Sequence, residues 1–279
     1  MKILVIGATG LLGMPVARQL QADGHQVRVF SRNPEQARAK LGPEFEFAVG
    51  EVDDPKSLEA ALEGCQGVHL SLDGGNDPDL ERRGGENVAN AAVMAKLQMI
   101  TYLSGASVCP ENTWYAGTKA KLQAETAIRA SGIPFAIFRA TFFMEALPRY
   151  VHGKQATVVG NQPNPWHWVA ANDYARMVSK AYALQNVKQI FYVYGPQALT
   201  TKEALQIYCG FVHPEATVSN LPLWLAGWVA KMPGREMLRT VLPFFRYTEK
   251  ATETGSPNEA NALLGAPSTT LEQWSITKI

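Results

Sequence analysis

Three glycines spaced three apart, Gly7, Gly10 and Gly13, follow directly on the apolar run Ile3-Leu4-Val5-Ile6. A strand that runs into such a turn and on into a helix can lay a pyrophosphate across the helix N-terminus. Gly7 permits the tight turn, Gly10 lets backbone N–H groups approach the phosphates, and Gly13 lets the helix pack close to the strand. An amphipathic run with Val16, Ala17 and Leu20 on one face supplies that helix. The bland alternative is a strand–turn–helix that binds nothing. The next strand ends at Ser31-Arg32-Asn33-Pro34. An NAD site places an acid about 20 residues beyond the glycines, where it accepts from the ribose 2′-OH. Here that slot holds Arg32 behind the Ser31 hydroxyl. A guanidinium fork suits a 2′-phosphate and accepts nothing from a hydroxyl, so the spacing points to NADP(H). The alternative is a solvated arginine at a strand end; Arg38 and Lys40 read as a solvated helix face.

A second pattern carries acid–base chemistry. Tyr115-Ala116-Gly117-Thr118-Lys119 sets a phenol and an ammonium four residues apart, on one face if the segment is helical. The cation favours the phenolate, which lowers the tyrosine pKa and makes the phenol a proton donor to a carbonyl. By spacing alone, a surface tyrosine beside a solvated lysine is the competing reading. Placement after a strand, behind a dinucleotide site, favours the catalytic pair.

The elements that must position these residues alternate. Strands over 2–6, 26–30, 45–49, 67–71, 98–104 and 134–139 are interleaved with helices over 10–23, 34–40, 55–62, 80–96 and 114–130. This rhythm predicts an α/β fold, a doubly wound parallel Rossmann sheet with ligands at the carboxyl ends of its strands. After Arg139 the rhythm changes. Residues 153–168 read as irregular or short-strand structure, Asn172-Asp173 as the cap of a helix running to 184, 189–194 as a strand, and Thr200-Thr201 as the cap of a helix over 202–211. The expected division is a dinucleotide-binding domain over 1–150, with 186–196 returning to the sheet, and a smaller, mostly helical C-terminal substrate subdomain over 151–185 and 197–279.

Composition narrows the class. The 279 residues are 46% hydrophobic and 18% charged, with a net charge of +1, which argues against nucleic acid as a partner. Cys65, Cys109 and Cys209 are odd in number and far apart, so they read as free thiols of a reducing, cytoplasmic compartment rather than a disulfide or metal set. No secretory signal and no membrane span is legible; the longest apolar stretch, 221–232, is interrupted by Pro222 and Gly227. The expected partners are a small-molecule substrate and, at most, a second copy of the chain.

The glycine turn, Tyr115-x-x-x-Lys119 and the run Ser131-Gly132-Ile133-Pro134-Phe135-Ala136-Ile137-Phe138-Arg139 resemble the short-chain dehydrogenase/reductase superfamily. More narrowly, the chain resembles its atypical, NmrA-like NAD(P)-binding branch. Tyr194-Gly195-Pro196-Gln197-Ala198-Leu199-Thr200 and Leu264-Gly265-Ala266-Pro267-Ser268-Thr269-Thr270-Leu271-Glu272-Gln273-Trp274 are similar to that branch as well. The resemblance implies that Gly7, Thr9, Gly10, Leu11, Leu12 and Gly13 hold the pyrophosphate and Ser31 and Arg32 the 2′-phosphate. It implies that Glu51-Val52 lie beside adenine, with Glu51 in place of the usual Asp. Leu72 and Asp73 would lie along the cofactor, Lys119 on the nicotinamide ribose, and Thr141 and Phe142 at the nicotinamide and substrate.

Two positions depart from the branch. Leu103-Ser104-Gly105-Ala106-Ser107-Val108 puts Gly105 where the family carries its carbonyl-polarising serine, leaving Ser104 or Ser107 as substitutes. Ala140 stands where Pro is usual. Three readings follow: an NADPH-dependent oxidoreductase acting on a small carbonyl, enone or quinone-type acceptor, an NmrA-type redox sensor that binds NADP(H) without turnover, and an assembly factor that holds the dinucleotide structurally. Tyr115/Lys119 favours the first, Gly105 the second. Elsewhere, His167 between Trp166 and Trp168 reads as a buried, hydrogen-bonded histidine, with an acid–base role as the alternative. Trp224, Leu225, Trp228, Val229 and Met232 read as core or lid, with a subunit or membrane-surface contact as the alternative. Cys109 reads as a structural thiol.

Overall fold

The computed structural model describes residues 1–75 and 77–279. In chain order the elements are β1 (Lys2–Ile6), α1 (Gly13–Ala22), β2 (Gln26–Ser31), α2 (Pro34–Leu41), β3 (Glu46–Val49), α3 (Pro55–Leu62), β4 (Gly67–Leu70), α4 (Leu80–Met94), β5 (Met99–Gly105), α5 (Ala116–Ala130) and β6 (Phe135–Ala140). There follow β7 (Val151–His152), β8 (Gln155–Val159), β9 (Trp166–Trp168), α6 (Ala171–Ala181) and β10 (Lys188–Val193). The chain closes with β11 (Gln197–Leu199), α7 (Thr201–Val212), β12 (Thr217–Leu221), α8 (Leu223–Val229), α9 (Glu236–Thr248), α10 (Asn258–Leu264) and α11 (Leu271–Ile276). The chain divides into two compact units. The first comprises Met1–Ala140, Ala171–Val193 and Ser256–Gly265, and the second Thr141–Ala170, Tyr194–Gly255 and Ala266–Ile279.

The first unit is the doubly wound sheet expected from the β–α rhythm. Seven strands run in the order β10-β6-β5-β4-β1-β2-β3, all parallel. The order reverses between β1 and β4, so the crevice beyond the glycine turn is the topological switch point of the sheet. Alternation along the strands sends Leu4 and Ile6 of β1, Val68 and Leu70 of β4, and Ile100 and Tyr102 of β5 into one core with Leu58, Leu62, Val88, Ala92, Ala124 and Ile128 of α3, α4 and α5. Polar N-caps start the helices where the strands end: Asn33 accepts from the Gln36 N–H at 3.0 Å, and Asp54 from that of Lys56 at 3.1 Å.

Two segments assigned from sequence to the smaller subdomain lie in the first unit instead. Helix α6 is strongly amphipathic and packs along α1, with Ser179 donating to Asp23 at 2.5 Å. Helix α10 packs beside β10 and α6. Both cover sheet-side apolar surface that the first 140 residues leave open, a long-range demand that local pattern does not reveal. Asp173 does not precede the helix as its N-cap residue. It sits in the first turn of α6, 1% exposed, with its carboxylate bonded to Arg176.

A buried polar network ties β5, α5, β6 and β10 together. The Glu125 carboxylate, 1% exposed, accepts from Arg139 at 3.0 and 2.7 Å and from the Ser104 hydroxyl at 2.5 Å, and Arg139 also donates to the Tyr192 hydroxyl at 2.9 Å. Removing one partner strands the other charge in a low-dielectric interior. Glu125→Ala is therefore expected to lower stability by about 3–5 kcal/mol in chemical denaturation. A loss under about 1 kcal/mol would mean that the arginine finds other partners or water.

The second unit is not mostly helical alone. It holds an antiparallel pair, β11-β9, and a three-stranded sheet, β12-β8-β7, packed with α7 and α11. A capping box of Thr200 and Glu203 opens α7, and another of Thr270 and Gln273 opens α11. Its core gathers Met144, Leu147, Ala156, Val158, Trp168, Leu205 and Trp274. The apolar stripe read as core or lid does not enter the core with its tryptophans: Trp224 and Trp228 are 76% and 70% exposed, while Ala226 and Ala230 are buried. Among the described residues no helix is long and apolar enough to cross a membrane.

Candidate functional site

At the switch point the turn has the geometry its glycines imply. Gly7 lies at φ +85°, and a Cβ there would fall 1.9 Å from the Ser71 carbonyl oxygen. A Cβ on Gly13 would fall 2.2 Å from the Gly7 carbonyl oxygen, so α1 sits against the turn as only glycine allows. Gly10 differs. A Cβ there would meet the Gly7 carbonyl oxygen at 3.2 Å and nothing else within 4 Å. Gly10 thus faces open space at the head of α1. The N-cap, Leu12, offers no side-chain hydrogen bond to the first-turn N–H groups. Unfilled volume and uncapped helix donors are what a pyrophosphate requires, and the residues fit a dinucleotide.

The residues expected around this turn fall into two sets. Ser31 ends β2, and its hydroxyl accepts from the Asn33 N–H at 3.1 Å. Arg32 is exposed, and its guanidinium has no hydrogen bond or ion pair among the described residues. Losing a charge-assisted phosphate contact costs about 1.5–3 kcal/mol, roughly ten- to a hundredfold in affinity. Arg32→Ala is accordingly expected to weaken NADPH binding by that factor and leave NADH binding unchanged. Calorimetric titration of both cofactors measures it, and equal wild-type affinities for the two would sink the assignment. Val52 and Leu72 meet over Gly84 of α4, where a Cβ would lie 2.4 Å from Leu72 Cδ1 and 3.5 Å from Val52 Cγ2. Glu51 is exposed, its backbone held by Ser57. Asp73 is exposed and accepts from the Gly75 N–H at 3.1 Å. Thr9 and Leu12 are half-buried and Leu11 is 42% exposed.

At the end of β5 the geometry departs from expectation. Helix α5 begins at Ala116, so Tyr115 is its N-cap with extended backbone (φ −91°, ψ 124°). The Lys119 N–H donates to the Tyr115 carbonyl at 3.0 Å, the first bond of the helix. The tyrosine ring folds back over Gly117, where a Cβ would meet it at 2.8 Å. Lys119 is exposed, and its ammonium has no partner among the described residues. Ser104 is buried and its hydroxyl is committed to Glu125. Ser107 is buried, its carbonyl accepting from Asn112 at 2.8 Å. Gly105 has room: a Cβ would make only ordinary contact, 3.5 Å from Val108 and 3.9 Å from Lys121.

That neighbour, Lys121, went unnoticed in the sequence. Its ammonium lies 2.5 Å from Glu81 Oε2, which also accepts from the Tyr102 hydroxyl at 3.0 Å. Burial and the Glu81 carboxylate push the Tyr102 phenol well above its ordinary pKa, so it stays protonated. The 3.6-residue period that buries Ala120, Ala124 and Ile128 places Lys121 toward the same side, a signal that was available. Burial likewise raises the pKa of Cys65, Cys109 and Cys209, which keeps all three as thiols.

Thr141 and Phe142 belong to the second unit. The Phe142 ring packs on Trp166, Trp168 and Phe244 at 4.5, 5.5 and 5.9 Å between centroids. Thr141 donates its hydroxyl to Glu253. Glu253 also accepts from the backbone N–H of His167 at 2.8 Å and lies 2.5 Å from His167 Nδ1. The imidazole stacks on Tyr194, centroids 5.0 Å and planes 8° apart, and its side chain stays 37% exposed rather than buried. A carboxylate on Nδ1 fixes the orientation of the ring. Neither Glu253 nor its pairing with His167 was legible, because 86 residues separate the partners.

Comparison with known proteins agrees with the turn. The NAD(P)H-binding family model matches residues 7–183. The (4-alkanoyl-5-oxo-2,5-dihydrofuran-3-yl)methyl phosphate reductase of Streptomyces griseus is 32% identical over 210 residues, 72% of this chain and 70% of that protein. The Citrobacter sp. triphenylmethane reductase complexed with NADP(H) superimposes with a TM-score of 0.79 at 20% identity, covering 99% of this chain and all of the other. An NADPH-dependent quinone oxidoreductase from Escherichia coli superimposes with a TM-score of 0.75 at 20% identity over 98% of each chain. The glycine cradle, the parallel sheet and the family match together establish that this chain belongs to the NAD(P)H-binding family, in the NmrA-like branch of the short-chain dehydrogenases/reductases.

Proposed function

We propose that the chain is an NADPH-dependent reductase of a small, conjugated carbonyl, enone or quinone-type acceptor, with Tyr115 as proton donor and Lys119 as its electrostatic partner. The observation that carries the reading is the open space over Gly10 combined with an Arg32 guanidinium, in the slot beyond β2, that has no partner among the described residues. NADPH, when bound, supplies hydride. The chain's own part is to hold the phosphates, orient the acceptor and provide one proton. Gly105 and the committed Ser104 argue for acceptors that need little carbonyl polarisation, because the usual serine position carries no hydroxyl and the Ser104 hydroxyl is bonded to Glu125. Quinones and extended conjugated systems delocalise the incoming charge themselves. The relatives named for dihydrofuranone, triphenylmethane and quinone reduction support the same class. Tyr115 is half-buried, and Lys119, whose ammonium has no partner among the described residues, is offered to a bound ribose or the phenol.

The test is NADPH consumption by the purified chain with a benzoquinone, an enone, a triphenylmethane dye and a simple ketone. Sustained turnover with at least one conjugated acceptor, and little with the ketone, is expected. Tight NADPH binding without turnover on any of them would replace this reading with the sensor, which the bare Gly105 favours.

A further inference from the structure

Helix α8 is built inside out. A helix at the surface of a soluble protein buries its large apolar residues and exposes small or polar ones. Here Ala226 and Ala230 are the buried positions, 0% and 4% exposed, packed with Val159 and Leu242. Trp224 and Trp228, each two residues away and so about half a turn round, are 76% and 70% exposed. Met232, just past the helix, and Met237, in the first turn of α9, are 48% and 80% exposed. The hairpin is nevertheless held in place: Leu221, Leu223, Leu238 and Phe245 join the buried cluster, and Arg239 donates to the Ala230 carbonyl at 3.1 Å. The tryptophans stand on an anchored element.

The charges beside them are mostly positive. Lys231, Arg235 and Arg239 are exposed with a single acid, Glu236, and residues 216–235 contain no Asp or Glu at all. Neither Lys231 nor Arg235 has an ion-pair partner among the described residues. A chain of net charge +1 thus concentrates unpaired cations around its most exposed tryptophans. Tryptophan offers an apolar body and an N–H for the wet side, which suits the boundary of a bilayer, and flanking cations suit anionic headgroups. A two-fold contact with a second copy is a poorer fit. It would set Lys231 and Arg235 near their own counterparts, and lysine is depleted from protein interfaces.

We infer that the α8–α9 hairpin is a peripheral membrane-docking surface, in which Trp224, Trp228, Met232 and Met237 enter the headgroup region of an anionic bilayer and Lys231 and Arg235 lie against its phosphates. The inference does not depend on the reductase reading. Co-sedimentation of the full chain with vesicles of phosphatidylcholine containing one part in three phosphatidylglycerol, against pure phosphatidylcholine, tests it. Binding to the anionic vesicles, weakened by salt, is expected. A Trp224→Ser/Trp228→Ser variant should lose about tenfold or more in partitioning, and Lys231→Glu/Arg235→Glu should abolish the preference for phosphatidylglycerol. All four side chains are exposed, so both variants should keep the wild-type circular dichroism and NADPH affinity, which separates lost docking from lost folding. Absence of vesicle binding at low salt overturns the inference, as does binding that the tryptophan variant leaves intact. A dimer in sedimentation equilibrium that the same variant dissolves would assign the surface to a second copy instead.

Discussion

Gly10→Val abolishes NADPH binding and leaves the chain folded. The backbone at Gly10 takes a side chain with a shift of a few tenths of an ångström: its N–H donates to the Gly7 carbonyl at 2.9 Å, and an added Cβ meets only that oxygen, at 3.2 Å. The two valine methyls then occupy the volume in front of the uncapped first turn of α1, where the pyrophosphate must come within hydrogen-bonding distance of the backbone. Loss of those contacts is expected to cost more than about a hundredfold in affinity. Gly7 and Gly13 would not give a clean result, because a Cβ at either collides with backbone at 1.9 or 2.2 Å and the fold itself would shift. Calorimetry with NADPH and far-UV circular dichroism together decide it. A folded variant with wild-type affinity would place the phosphate site elsewhere.

Tyr115→Phe is expected to lower kcat by about 10²-fold or more, the usual scale for one general acid, and to leave the NADPH dissociation constant nearly unchanged. Lys119→Ala should raise that constant as well, since the free ammonium is the group offered to the ribose. Gly105→Ser is the informative companion. The position accepts a Cβ at ordinary contact distance from Val108 and Lys121, so the serine folds, and it returns a hydroxyl to the end of β5. Activity toward simple ketones should rise. If Tyr115→Phe turns over at the wild-type rate, the proton comes from another group or from water.

The first unit was largely legible because its signals are local. Apolar runs of strand length, polar caps at Asn33 and Asp54, and the glycine turn each lie within a few residues of what they specify. The place of Arg32 just past β2 was legible for the same reason: its distance along the chain from the glycines is set by one helix and one strand. Tyr115 and Lys119 show the limit of such reasoning. Their spacing matches a helix face, but the helix starts one residue later, so Tyr115 is its N-cap rather than its first turn.

What the sequence determined by itself, then, is the parallel sheet, the phosphate turn and the family, since periodicity and glycine spacing act over short stretches of chain. What only the tertiary structure decided is which distant side chains meet. Glu125 closing on Arg139 and Ser104, Lys121 on Glu81, Glu253 on His167, and the outward Trp224 and Trp228 all depend on how separate elements pack. Packing satisfies buried charge and apolar area over the whole fold, and no window of neighbouring residues encodes that requirement.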